Sequence, residues 1–200
     1  IAGDIDPSVT SFWLGAFETR DPAMKYLLHY RLIEFLAMSY VKSEQHKDLI
    51  GILRRPHLIS STEGAAAEIA GLFALQARET DRLKKFVEET VNSDKVWAVI
   101  EMNKQDFCST AKFDGGYQVK AIISQEHTKE TFSKVGPIGL VDKLRAIRNC
   151  LAHGQDEGTR GVIHTTQRNA RVLGPWVNLI ETFAAEAMLY ARRTYVPGET

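Results

Sequence analysis

The residues best suited to chemistry lie in one stretch, Leu140-Val-Asp-Lys-Leu-Arg-Ala-Ile-Arg-Asn-Cys-Leu-Ala-His-Gly154. Read as a helix at about 100° per residue, Leu140, Leu144, Ile147 and Leu151 fall within about 60° of one another and make a core stripe. Asp142, Arg145, Asn149 and His153 fall on the far side, with Asn149 and His153 one turn apart on the same face. Arg148 sits at the boundary. Its stem can follow the apolar edge while its guanidinium reaches the polar face. A guanidinium is a planar fork of donors suited to a phosphate or to a developing phosphorane. A helix C-terminus favours cations, and an imidazole can give and take a proton near neutral pH. Lys143, Arg145, Arg148, Arg160, Arg168 and Arg171 face only Asp156 and Glu157 between residues 143 and 171, a local excess of +4.

Each of these residues also has a plainer reading. His153 can be a helix-capping cation, Arg148 a structural salt-bridge residue and Arg145 a solvated charge. Other chemistries find little support. His29, His46, His57, His127 and His164 show no metal-ligand spacing, so neither metal nor cofactor is expected. Cys150 reads as a small packing residue, because nothing beside it resembles a Cys-His-Asn triad. Gly136-Pro137-Ile138-Gly139 is a helix-entry turn that lacks the Gly-Lys-Ser/Thr ending of a phosphate loop. Trp13, Trp97 and Trp176 read as core or interface residues.

The elements that must position this stretch are mostly helical. Asp21-Pro22 caps a helix from Ala23 to Val41 that is apolar around most of its circumference and so central. A second helix is expected from His46 to Arg55, stopped by Pro56. Ser61 or Thr62 caps a third, from Glu63 to Arg78. Helical periodicity returns from Arg78 to Thr90, and Ser93 caps a continuation from Asp94 to Met102. Phe113-Asp114-Gly115-Gly116-Tyr117 is a turn signal, so a short hairpin insertion is possible around residues 105–123. A short helix follows Ser124. The motif helix runs from about Ile138 to Ala152, ended by Gly154. After a loop, Thr165 or Thr166 caps a long last helix from Gln167 to Arg193, bent or interrupted near Gly174-Pro175. The expected fold is all-α, an up-and-down bundle of four or more helices over residues 21–200, with residues 1–20 as an arm or linker.

Composition narrows the function classes. Twenty-five basic residues balance 25 acidic ones in a chain of 200, so the net charge is zero. That excludes a polybasic nucleic-acid coat. With 44% hydrophobic residues the chain folds rather than staying disordered. No run approaches about 18 apolar residues, so no membrane span is expected. Ile1 to Pro7 lacks the basic start of a signal peptide. Cys108 and Cys150 form no CxxC pair, which suits a reducing, cytoplasmic setting. Because the first residue is Ile, the chain is expected to lack its start or to be one domain of a longer protein. An additional N-terminal domain or a regulatory partner would then accompany it.

Arg148-Asn149-x-x-x-His153-Gly154 resembles the R-x4-6-H motif of the HEPN superfamily, in which a polar residue follows the Arg. The string Arg-Asn-Cys-Leu-Ala-His-Gly is similar to the ApeA-like and MauJ-like bacterial branches. Tyr30-Arg-Leu-Ile-Glu-Phe-Leu36 resembles the first HEPN helix, which often carries an acidic residue, and the last helix fits the one that follows the motif. The resemblance spans roughly residues 21–193 and rests on about seven of them. It implies a metal-independent endoribonuclease working as a homodimer through the motif helix, in bacterial defence or a toxin system, with RNA as partner. The 2′-hydroxyl would attack the adjacent phosphate and leave a 2′,3′-cyclic phosphate. His153 would be the acid and base, Arg148 would bind the scissile phosphate, and Asn149 would orient the histidine or substrate. Glu34 would pair with Arg148 and hold it, or else stay a partly solvated helix residue. Arg145 would extend the phosphate track. The tyrosine that some toxin relatives carry two residues after the histidine is Gln155 here, so regulation through that tyrosine is not expected. A non-catalytic module for dimerisation or for nucleotide or RNA binding is the alternative.

Overall fold

Asp6 and Asp21 each precede a proline, and each caps a helix. The Asp6 carboxylate accepts from the Ser8 N–H at 2.7 Å and that of Asp21 from the Ala23 N–H at 3.0 Å. The proline after each has no N–H to leave orphaned. The result is α1, Pro7–Glu18, and α2, Pro22–Leu53. These belong to a computed structural model that describes residues 6–56, 58, 61–74, 78–153 and 161–194.

Two expectations change here. Residues 7–18 are not an arm or linker: α1 packs against α2 and buries Val9 and Ala16. The helices expected at 23–41 and 46–55 are one helix of 32 residues. The joining residues Lys42-Ser-Glu-Gln-His46 include neither glycine nor proline, and Lys, Glu and Gln are good helix formers. Buried side chains come from most sides of α2, because α1, α4, α8 and the last helix all pack on it.

The remaining elements are α3 (Thr62–Ala74), α4 (Glu79–Thr90), α5 (Ser93–Met102), α6 (Lys104–Phe107), α7 (Lys129–Val135), α8 (Val141–His153) and α9 (Gln167–Thr194). The cap of α5 is Asn92, whose side chain accepts from the Asp94 and Lys95 N–H groups, and Ser93 is the first helical residue. The hairpin is real but minimal. Strands β1 (Ala111–Lys112) and β2 (Gln118–Val119) pair antiparallel around Gly115 and Gly116, both at positive φ. A side chain at Gly115 would collide with the Val162 carbonyl. Helix α9 is continuous through Pro175.

The described residues thus form an all-α helical bundle with one small hairpin. Trp97 and Trp176 are buried, and Trp176 meets Phe107 edge-on at 5.2 Å. Cys150 is buried, in keeping with a packing role. Among the described residues no helix is long and apolar enough to cross a membrane. His57, Gly154 and most of the loop at 155–165, with Gln155, Asp156, Glu157 and Arg160, lie outside the described residues.

Candidate active site

Helix α8 is entered through Gly136, at φ 63°, and a 3-10 turn over Pro137–Leu140. Its placement is fixed by a buried hydrogen bond, Tyr26 Oη donating to the Leu144 carbonyl at 2.8 Å. In a regular helix that carbonyl also accepts from the Arg148 N–H, so the tyrosine braces the turn that carries the arginine. Burial, before any charge, raises the Tyr26 pKa well above the usual phenol value, and the hydroxyl stays a donor.

Arg148 is the centre of the cluster. Its Nη2 donates to Glu34 Oε1 at 2.9 Å and to Glu79 Oε1 at 2.5 Å, and its Nη1 donates to Asn149 Oδ1 at 2.9 Å. The guanidinium lies 4.8 Å from the centre of the Tyr30 ring. Tyr30 Oη donates to the same Glu79 oxygen at 3.0 Å. Burial first, then the adjacent Glu79 carboxylate, raises the Tyr30 pKa and keeps that proton in place. For Arg148, burial acts against the charge, but Tyr30, Glu79 and Glu34 outweigh it and the pKa is raised. Its side chain is 15% exposed.

Several predicted residues therefore meet. Arg148, Asn149 and Glu34 are in contact, and Glu34 comes from α2, 114 residues away in the chain. Asn149 is buried rather than solvent-facing, although it lies opposite the core stripe. The reason is that α8 is covered by both α2 and α4. Arg145 is half-buried, with Nε 3.8 Å from Glu79 Oε1, too far for a hydrogen bond. His153 stands apart: it is exposed at the last residue of α8. Five positions separate it from Arg148, about 140° around the helix and about 7.5 Å along it.

Sequence reasoning missed Glu79 and Tyr30. Tyr30 lies one helical turn before Glu34 and was open to discovery by spacing. Glu79 opens α4 and carries no spacing relation to Arg148.

The charge balance also changes in space. Arg168 pairs with Asp114 at 2.6 Å, and Arg148 pairs with Glu34 and Glu79. Adding these three carboxylates to the six basic and two acidic residues of the 143–171 window lowers the local excess from +4 to +1. An arginine has five N–H donors. Three are committed here, which leaves one on Nη1 and the buried Nε–H, unpartnered among the described residues. The Nε–H is sealed from solvent, so a phosphate can reach Arg148 through the remaining Nη1 donor or by displacing a carboxylate. Among the described residues no three His, Cys, Asp or Glu side chains are grouped to hold a metal ion.

Comparison of the chain with protein-family models, with curated proteins and with solved structures returns no match.

Proposed function

We propose that the chain is the RNA-cleaving unit of a HEPN-type, metal-independent endoribonuclease, a bacterial defence or toxin effector of the cytoplasm. Two copies pair through α8, and each contributes one His153. One imidazole takes the proton of the 2′-hydroxyl as that oxygen bonds to the adjacent phosphorus. The bond to the 5′-oxygen breaks, and the other imidazole gives that oxygen its proton. The products are a 2′,3′-cyclic phosphate and a 5′-hydroxyl, and both imidazoles return to their starting states after exchange with water. Arg148 stabilises the charge that gathers on the phosphate oxygens, and Asn149 fixes the guanidinium through Oδ1.

The observation that carries this reading is the ion pair between Arg148 and Glu34, 2.9 Å across the packing of α8 on α2. It anchors the motif arginine to the acidic residue of the first motif helix, five positions before an exposed histidine.

A second reading has its own support. With two carboxylates on one guanidinium nitrogen, Arg148 can serve packing alone, in a non-catalytic module that dimerises or binds nucleotide or RNA. One experiment separates the two. Wild type, Arg148→Ala and His153→Ala are incubated with structured RNA in EDTA. The nuclease reading expects cleavage by wild type and a loss of at least about a hundredfold in each variant. Cleavage that is equal in all three, or absent from all, leaves the non-catalytic module.

A further inference from the structure

On the far side of the two carboxylates from the motif lies a cavity of about 290 Å³ between α1, α2 and α4. Phe12 and Phe35, edge-on at 6.5 Å, give it an apolar wall, while Arg31, Arg82, Glu34 and Glu79 bring two cations and two carboxylates to it. The α2 residues Arg31, Glu34 and Phe35 share one helical face by their spacing. The cavity is at the small end for a ligand site, large enough for one nucleobase with part of its sugar and too small for a dinucleotide.

The lining selects a chemistry. Glu34 spends one oxygen, Oε1, on Arg148, and Oε2 has no hydrogen-bond partner among the described residues. An ionised carboxylate has about four acceptor sites, so Glu34 keeps acceptor capacity for a ligand. Glu79 is more committed, since its Oε1 already accepts from Arg148 and Tyr30. A planar group that rests against this aromatic pair and presents two adjacent N–H donors suits Glu34 best. Among the RNA bases guanine alone has that edge, N1–H beside the N2 amine. Adenine presents an acceptor, N1, where the carboxylate needs a donor. Arg31, exposed at the rim, supplies a cation for a phosphate attached to the same nucleoside.

The geometry points to a guanine-nucleotide pocket in this cavity, with Glu34 reading the base edge, the Phe12–Phe35 pair packing against the base, and Arg31 holding the phosphate. The choice of a nucleotide as occupant rests on the reading that the chain handles RNA. Binding itself requires no cleavage. Base recognition by stacking and by edge hydrogen bonds is how proteins select single-stranded RNA. A base held here lies next to the Arg148 cluster and would fix which phosphate reaches it.

The test is calorimetric titration of the purified chain with GMP, IMP, AMP and guanosine. GMP is expected to bind at least about tenfold more tightly than AMP, the discrimination of one good bidentate base contact. IMP, which lacks the N2 amine, falls between them. In Glu34→Gln the GMP-to-AMP ratio collapses towards one, whereas a merely unfolded variant loses every nucleotide alike. In Arg31→Ala the affinity for GMP falls by about fivefold or more while that for guanosine is unchanged. Equal affinity for GMP and AMP, or no binding of GMP at millimolar concentration, overturns the pocket. The outcomes also separate this assignment from the nuclease reading. Selective GMP binding without RNA cleavage leaves the pocket standing and removes the nuclease, and cleavage without GMP binding does the reverse.

Discussion

Arg148 is held where its charge is fully answered, and that shapes what each neighbour does. Glu79 takes hydrogen bonds from both Arg148 and Tyr30. Replacing it by Gln keeps an acceptor but removes the negative charge that competes with a phosphate. Glu79→Gln is expected to lower stability by about 1–3 kcal/mol, read from urea unfolding, and to tighten RNA binding at low salt. Unchanged RNA affinity would show that Glu79 does not restrain the arginine. A second buried residue governs acid stability. His29 is 2% exposed, and both ring nitrogens lack hydrogen bonds among the described residues. It lies edge-on to Trp13, with Glu181 at 3.9 Å and Lys25 among the charges acting on it. Burial first, then Lys25, lowers its pKa from 6.5 to about 4. The unfolded chain therefore binds this proton more tightly than the folded one. The stability His29 contributes is fully present above pH 6.5, falls as the pH drops from 6.5 to about 4, and levels off below. His29→Phe should flatten the urea midpoint across that window.

At the scale of elements, α2 is the part that everything else uses. It supplies Tyr26 to brace α8, Glu34 and Tyr30 to hold Arg148, and a wall of the cavity. Its continuity through residues 42–46 is open to a direct check. Ser43→Pro should cost about 3 kcal/mol or more, because a proline inside a helix loses a hydrogen bond and clashes with the preceding turn. A linker there would tolerate it, and thermal melting distinguishes the two. Asn169 does for the hairpin what Tyr26 does for α8. Its side chain, 2% exposed, bonds the Asp114 N–H, the Asp114 carbonyl and the His164 carbonyl, and so ties the hairpin turn to the start of α9. Asn169→Ala is expected to cost about 2–4 kcal/mol in urea unfolding, as three part-buried bonds are lost together. Much of this level is legible in sequence. The Asp-Pro cap, the glycine turn and the threonine before α9 act through neighbours in the chain, and Thr166 Oγ1 does accept from the Asn169 N–H. The junction within α2 was not legible, because a polar helical turn and a polar linker share one composition.

At the scale of the whole molecule, zero net charge takes on a specific meaning. The basic window around the motif looks strongly positive along the chain, yet Glu34, Glu79 and Asp114 fold onto it from three other places. The Arg148–Glu34 pairing was legible only through the family resemblance, while pairings across 54 and 69 residues leave no spacing signal, so the rest of the neutralised site could not be read from the sequence. The motif itself could, since Arg148, Asn149 and His153 share one helix. A single copy offers one open Arg148 donor and one exposed imidazole five positions along the helix, whereas in-line cleavage needs an acid and a base at once. The account therefore turns on what happens to the RNA phosphate. The most direct measurement uses structured RNA cleaved in EDTA, with the new ends identified by mass spectrometry, beside the same RNA carrying a 2′-deoxy residue at the cleaved position. The account predicts a 2′,3′-cyclic phosphate, a 5′-hydroxyl and no cleavage at the deoxy position. A linear phosphate formed directly, or cleavage that persists at the deoxy position, would contradict it.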